Sequence, residues 1–225
     1  MKPYAAYAIG AALVDTEIRV TDAELAAMNI DKGMMTLVDL ARQRDILTTL
    51  SDHLIRANHA SGGSAGNSMI ATALMGAPTY MSCKVAQDAD GDIYLTDLEQ
   101  SGVAHGLTER STDGVTGKCI VLITPDAERS LNTHLGISET LSTDEVDEVA
   151  IRDSEWVYLE GYLVTSPTGH AAALKTKALA EAHGVKTAVS FSDPGMVKFF
   201  RDNMAAMVEG GVELVFCNES EALEW

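Results

Sequence analysis

The sequence predicts an α/β fold whose mainly parallel sheet is covered by helices on both faces. Two patterns point to it. Short apolar runs alternate with helix-length amphipathic segments along most of the chain. Glycines stand where helices should hand over to strands, as in His183-Gly184-Val185 and Gly210-Gly211-Val212. The 225 residues, 46% of them hydrophobic, suffice for one buried core with a minor elaboration.

In chain order, Tyr4 to Val14 reads as one buried strand. Thr16-Glu17-Ile18-Arg19-Val20 alternates like a half-exposed strand, and Asp22 to Met28 and Asp39 to Leu54 read as helices. In the second helix Leu40, Leu47, Leu50 and Leu54 share a face. Gly33-Met34-Met35-Thr36-Leu37 lies between the two, where paired methionines read first as core filling. Residues 16 to 60 therefore interrupt the alternation. It resumes with strands over Thr79 to Val85, Trp156 to Leu159, Val185 to Phe191 and Val212 to Cys217. Helices are expected over Thr168 to His183 and Val197 to Val208. There is no internal repeat and no low-complexity linker.

Charge excludes several function classes. With 33 acidic against 16 basic residues the formal net charge is −17. Nucleic-acid binding needs clustered Lys and Arg to release counterions, and an anionic membrane surface makes the same demand. Any phosphate site must then rest on local donors, helix N-termini or a metal ion. Cys83, Cys119 and Cys217 are odd in number and widely spaced, which suits reduced core residues rather than disulfides or zinc. No signal peptide or membrane-length apolar run is present, so a soluble cytoplasmic protein is expected.

The most informative run is Ser61-Gly62-Gly63-Ser64-Ala65-Gly66-Asn67-Ser68-Met69-Ile70-Ala71. Adjacent glycines permit positive φ and let a ligand approach bare backbone. Ser64 reads as the N-cap of a following helix, with Asn67 in its first turn. On residue types alone this is first an ordinary βα turn whose glycines serve geometry. Asp15 stands equally as a turn-stabilising residue or as a carboxylate at a strand end, where parallel sheets bind ligands.

The run resembles the first signature of the ribokinase family, also called the phosphofructokinase-B type, whose Gly-Gly-x-x-x-Asn turn grips sugar or nucleoside hydroxyls. Other stretches follow in the family's order. Ile9-Gly10-Ala11-Ala12-Leu13-Val14-Asp15 looks like its opening strand, which ends in a substrate-binding aspartate. Thr116 to Thr124, Arg129-Ser130-Leu131 and Gly161 to Pro167 resemble the adenosine kinase branch, and so does Asn218-Glu219-Ser220-Glu221-Ala222.

The resemblance implies a ribokinase-like core with a small β lid. Residues 1–15, 61–115 and 135–225 would form the core, and 16–60 with 116–134 the lid and its flanking helices. In the lid, strand Thr16 to Val20 is expected to pair with Lys118 to Thr124 and Ser130 to His134. The implied activity is ATP-dependent phosphorylation of a primary hydroxyl on a nucleoside, adenosine-like, or on a sugar such as ribose or fructose. Asp15, Gly62, Gly63 and Asn67 would bind the acceptor, and Met34, Thr36 and Leu163 would shape its pocket. Arg129 would reach the transferring phosphoryl group. Asn218 and Glu221 would organise Mg²⁺ beside the nucleotide, Glu221 being the metal residue, although Asn at N-cap with Glu at N3 is also an ordinary capping pattern. A monomer or homodimer is expected.

Two departures bear on these expectations. Ala11 stands where the family often has Asn. The family's second signature, an Asp-Thr-x-Gly-Ala-Gly-Asp-like run carrying the catalytic base and anion hole, does not occur in these residues. The sequence therefore reads as roughly the first two-thirds of a kinase, expected to transfer phosphate poorly alone; the alternative is a non-catalytic nucleoside- or sugar-binding module. Gly117-Lys118 lacks the preceding glycine of a P-loop, and residues 61–66 do not fit the dinucleotide Gly-x-Gly-x-x-Gly pattern.

Overall fold

The chain runs through two sheets whose strands are interleaved in sequence. The computed structural model describes residues 2–56 and 58–225, apart from the side chains of residues 54–59. Leu54, expected on a helix face, lies outside the described side chains. Strands β1 (Tyr4–Ile9) and β2 (Leu13–Arg19) are followed by α1 (Asp22–Ala27), β3 (Met35–Leu37) and α2 (Leu40–Thr49). A 3-10 turn (Ser51–Arg56) leads to β4 (Asn58–Gly62), α3 (Ser64–Leu74), β5 (Thr79–Ser82), α4 (Ala89–Gln100) and β6 (Val103–Ala104). Next come β7 (Gly117–Ile123), β8 (Arg129–His134), α5 (Glu148–Arg152), β9 (Ser154–Glu160) and α6 (Pro167–Ala182). The chain continues with β10 (Lys186–Ser190), α7 (Pro194–Phe199), α8 (Arg201–Val208), β11 (Leu214–Phe216) and α9 (Glu219–Glu224).

The main sheet has the order β11-β10-β9-β1-β5-β6, and all its pairs are parallel. Strand alternation sends side chains to two cores. On one face Tyr7, Ile9, Val157 and Leu159 pack with Ile151, Ala172, Ala180, Val197, Met204 and Met207 from α5 to α8. On the other, Ala8 and Met81 pack with Ala65 and Met69 of α3 and Tyr94 and Leu98 of α4. Helices thus cover both faces, as the alternation predicts. Burying one such leucine or isoleucine is worth roughly 1.5–3 kcal/mol. At one edge β11 exposes Leu214, Val215 and Phe216. No helix among the described residues is long and apolar enough to cross a membrane.

The second sheet has the order β3-β8-β7-β2-β4. Strand β2 pairs with β7 in parallel, Thr16 opposite Ile120 and Ile18 opposite Leu122, and β7 pairs with β8 antiparallel. The small sheet expected from residues 16–20, 118–124 and 130–134 is therefore present, with β7 standing between β2 and β8. Its outer face buries Ile18, Ile120 and Leu122 against Leu25, Met28, Ile46 and Leu50 of α1, α2 and the turn after it. Buried Gln43 of α2 ties the helix to the sheet, its Nε2 donating to the Lys118 carbonyl at 3.0 Å and the Asn132 carbonyl at 3.1 Å.

Several expected boundaries move. The single strand over 4–14 is two strands in two different sheets, because the Ala11 and Ala12 amides are taken by the side chains of Glu160 and Ser138 instead of a neighbouring strand. Gly10 N–H donates to the Ser82 carbonyl at 3.2 Å, and Ala12 exchanges hydrogen bonds with the Ser138 hydroxyl, both 3.1 Å. Residues 13–15 consequently sit in the second sheet rather than with the core strands. The N-cap of α3 is Gly63, with no side-chain cap bond, and Ser64 is its first helical residue. The Ser64 hydroxyl is used by a distant carboxylate instead. Helix α2 stops at Thr49, and the helix expected over 197–208 is divided at Phe200 into α7 and α8.

Tyr94 is fully buried, and its hydroxyl has no hydrogen-bond partner among the described residues. Removing an unpartnered buried hydroxyl without changing side-chain shape relieves a desolvation penalty. Tyr94→Phe is accordingly expected to raise the unfolding free energy by about 1 kcal/mol in urea denaturation. A loss of similar size would show that the phenol has a partner.

Candidate functional site

Period-two alternation on the second sheet directs one set of side chains inward. From β2 these are Leu13, Asp15 and Glu17; from β7, Cys119 and Val121; from β8, Arg129, Leu131 and Thr133; from β3, Met35 and Leu37. They line a cavity of about 200 Å³. The rest of the lining comes from Ala11, Gly63, Ser64, Asn67, Leu135, Glu160, Tyr162 and Thr165. The sheet side sets Asp15, Glu17 and Arg129 among apolar side chains, and the other side is polar backbone, amide and carboxylate.

Glu160 organises the polar side. It ends β9 and is only 1% exposed. Its Oε1 accepts from Ala11 N–H at 2.8 Å; its Oε2 accepts from the Ser64 hydroxyl at 2.7 Å and Ala65 N–H at 2.9 Å. Burial pushes the carboxyl up, while these donors pull the other way. The helix N-terminus favours the ionised form as well.

The two glycines of the turn serve close approach. Gly63 has φ +86°, and a Cβ there would collide with the Ala11 carbonyl oxygen. A Cβ on Gly62 would collide with the Asp15 carboxylate, since β4 lies antiparallel beside β2 with Leu13 opposite Gly62. Their absence of side chains is what lets α3 and Asp15 share one cavity.

Asp15 is half-buried, and its carboxyl is raised from 3.8 to about 7. Burial is the main cause and the Glu17 charge adds to it, while Arg129 opposes. Arg129 lies 3.6 Å from Glu17, Nη2 to Oε1, with side chains 64% and 37% exposed. A loose solvated pair of this kind contributes little to stability. Beside Asp15 across the strands, burial pushes the Cys119 thiol up to about 12, with Thr133 Oγ1 donating to its sulfur at 3.3 Å. Cys119 therefore acts as a neutral wall, not as a nucleophile. The Tyr162 phenol, also raised by burial, donates to the Ser192 carbonyl at 3.3 Å.

Of the residues singled out from sequence, Asp15, Gly63, Asn67 and Arg129 meet on this cavity, and Gly62 backs Asp15. Asp15 arrives differently from the expectation: it is the third residue of β2 and faces inward from a sheet, instead of ending a core strand. Met34, Thr36 and Leu163 do not line the cavity. Met34 precedes β3, where its carbonyl accepts from Leu131 N–H at 2.9 Å. Thr36 points to the opposite side of β3 from Met35 and Leu37, which take the wall positions. Leu163 is packed into the core beside α6.

Asn218 and Glu221 stand at the start of α9, outside the cavity lining, and form a reciprocal cap. Asn218 N–H donates to Glu221 Oε2 at 3.1 Å, and Glu221 N–H donates to Asn218 Oδ1 at 2.8 Å. Glu221 is 5% exposed, and its charge is close enough to act on the Tyr162 phenol. Among the described residues no three or more His, Cys, Asp or Glu side chains group to hold a metal ion. The donor set at Glu221 thus fits only an ion that keeps most of its own water, as Mg²⁺ does.

Sequence reasoning passed over Glu160, Glu17 and Tyr162. Glu160 had a signal: an acid followed by glycine directly after the apolar run 156–159, at a strand's carboxyl end. Glu17 had only its place two residues from Asp15. The expectation that alternation along β2 sets its inward face would have found it.

Two consequences are measurable. Because Asp15 holds its proton more tightly in the folded protein, the fold binds more protons than the unfolded chain between about pH 4 and pH 7. Its contribution therefore lowers stability as pH rises through that window. Asp15→Asn removes this slope, so its melting temperature should exceed that of the parent at pH 8, with the gain vanishing near pH 4; a pH-independent difference would contradict the burial. Glu160→Ala strands two backbone N–H groups, and thermal or urea unfolding should show a loss of about 3 kcal/mol or more.

Comparison with known proteins agrees with this geometry. A family model described as pfkB family carbohydrate kinase matches residues 28–225. A probable sugar kinase from Rhizobium etli superposes with a TM-score of 0.92 at 32% identity, covering 100% of this chain and 67% of that one. Adenosine kinase from Sinorhizobium meliloti gives 0.91 at 33% identity, covering 98% and 67%. The ATP-dependent ribose-1-phosphate kinase of Halopiger xanaduensis is 31% identical over 168 residues, 74% of this chain and 53% of that protein. The matches span about a third to a half of the length of the curated relatives. With the alternating two-sheet architecture, the glycine turn opening α3 and a match over most of its length, the chain belongs to the pfkB family of carbohydrate kinases.

Proposed function

We propose that the protein is a kinase that transfers phosphate from ATP to a primary hydroxyl of a neutral acceptor, a ribonucleoside of the adenosine type. The observation carrying this reading is the two-sided cavity. Its sheet side presents Asp15 among Leu13, Met35, Leu37, Val121 and Leu131; its facing side presents Asn67 and the glycine turn. A vicinal diol can donate two hydrogen bonds to the ionised Asp15 carboxylate, and charge assistance makes such bonds about twice as strong as neutral ones. The apolar wall suits a planar base, which a bare sugar would leave uncovered.

In this reading Asn67 orients the acceptor from the first turn of α3, and Glu160 holds that turn in place. Arg129 is free to swing from its loose contact with Glu17 toward a phosphoryl group. Mg²⁺, when bound, neutralises charge on the nucleotide phosphates, and Glu221 with Asn218 would hold it through its water shell. The adenosine kinase similarity supports the nucleoside acceptor. A second reading, a sugar such as ribose or fructose as acceptor, is supported by the relatives named as ribokinase and sugar kinases.

Calorimetric titration decides between them. Adenosine should bind more tightly than ribose or fructose, and Asp15→Asn should weaken adenosine by roughly 1.5–3 kcal/mol. Tighter binding of ribose or fructose would favour the sugar reading. Unchanged affinities in Asp15→Asn would remove Asp15 from the acceptor site.

A further inference from the structure

Two features of the cavity are general anion-binding devices: a guanidinium and the N-terminus of an eleven-residue helix. Each already faces a carboxylate of the protein. Arg129 on β8 lies 3.6 Å from Glu17 on β2. At the start of α3, the Ser64 hydroxyl and Ala65 N–H both donate to Glu160. Arg129 is the cation among the cavity-lining residues, against the acids Asp15, Glu17 and Glu160. Glu17 and Asp15 project from the same face of one strand, two residues apart, so their charges add toward any incoming anion.

We propose that Glu17 is a specificity-determining residue that excludes phosphorylated acceptors from this cavity. The inference rests on the acceptor-site reading above and adds a discrimination to it. Glu17 acts by its charge, which adds to that of Asp15 against a phosphate in the acceptor position, a penalty that a neutral nucleoside or sugar does not meet. Without Glu17, Arg129 would attract an acceptor phosphate against one carboxylate fewer, while the apolar side chains of the cavity stay as they are. The Glu17 side chain is 37% exposed and pairs loosely with Arg129, so its amide replacement keeps the strand intact.

The test is calorimetric titration of the protein, Glu17→Gln and Glu17→Gln with Arg129→Gln, using adenosine and ribose 1-phosphate in turn. In Glu17→Gln, ribose 1-phosphate should tighten on the order of tenfold, because one like charge is removed at close range in a partly desolvated site. Adenosine should gain less than ribose 1-phosphate, because it carries no charge for Glu17 to repel and feels only the easier ionisation of Asp15. The double variant should lose the gain. If the parent protein binds adenosine but Glu17→Gln shows no gain for ribose 1-phosphate, the role of Glu17 is overturned while the acceptor site stands. Equal gain in the double variant would overturn the part played by Arg129. If the parent binds neither adenosine nor a sugar, the acceptor site itself is wrong and the inference falls with it.

Discussion

The buried carboxylate of Glu160 is the constraint on which the site depends. It ends a strand of the main sheet, yet its three bonds go to the link between β1 and β2 and to the start of α3. Losing any of these partners would leave a nearly dry charge, so the three segments are fixed relative to one another. The desolvation cost is offset by donors that would themselves be unpaired: the Ala11 and Ala65 amides, neither of which is claimed by a strand. Gly10 is part of the same arrangement, since a Cβ there would press on Glu160 at 2.6 Å.

From that clamp the rest of the cavity follows. Holding residues 10–12 outside both sheets lets the chain leave β1 and re-enter a different sheet as β2. Parallel pairing of β2 with β7 and antiparallel pairing with β4 then set which side chains face inward. Asp15 is pressed between the glycine turn and Cys119, and this packing, more than any charge, lifts its carboxyl toward neutrality. A ligand that donates hydrogen bonds to Asp15 would favour its ionised form and reverse part of that shift. The same burial that disfavours the charge makes each such bond count.

The acidic surface and the cavity follow one electrostatic logic. A chain of net charge −17 offers no basic field to draw phosphates in. Inside the cavity the Arg129 guanidinium and the N-terminus of α3 each face a carboxylate, Glu17 and Glu160 respectively. At α9 the sequence motif is a capping box. Asn218 and Glu221 satisfy the helix start as any such pair would. The nearly complete burial of Glu221 beside Tyr162 is what sets this cap apart from an exposed one.

Much of this was legible in the residues. Alternating apolar runs and helical segments determined the α/β class, because periodicity records which faces must be buried and needs no knowledge of partners. The glycine pair was visible because turns that require positive φ or close backbone approach leave a local mark, whereas Asn67 and Asp15 were singled out through the family resemblance. Of the small sheet, alternation marked residues 16–20, while 118–124 and 130–134 were expected only from the family resemblance, and β3 and β4 left no local mark. Tertiary structure alone decided the break at residues 10–12, since Glu160 lies 149 positions away from Ala11 and no local pattern records that bond. It also decided that Met35 and Leu37, not Met34 and Thr36, face the cavity: in a strand of three residues the face is set by the neighbour's register, here Leu131 opposite Met35. Local propensity and spacing determine elements and their exposed faces; which carboxylate meets which amide depends on contacts between distant segments that form only when the chain is packed.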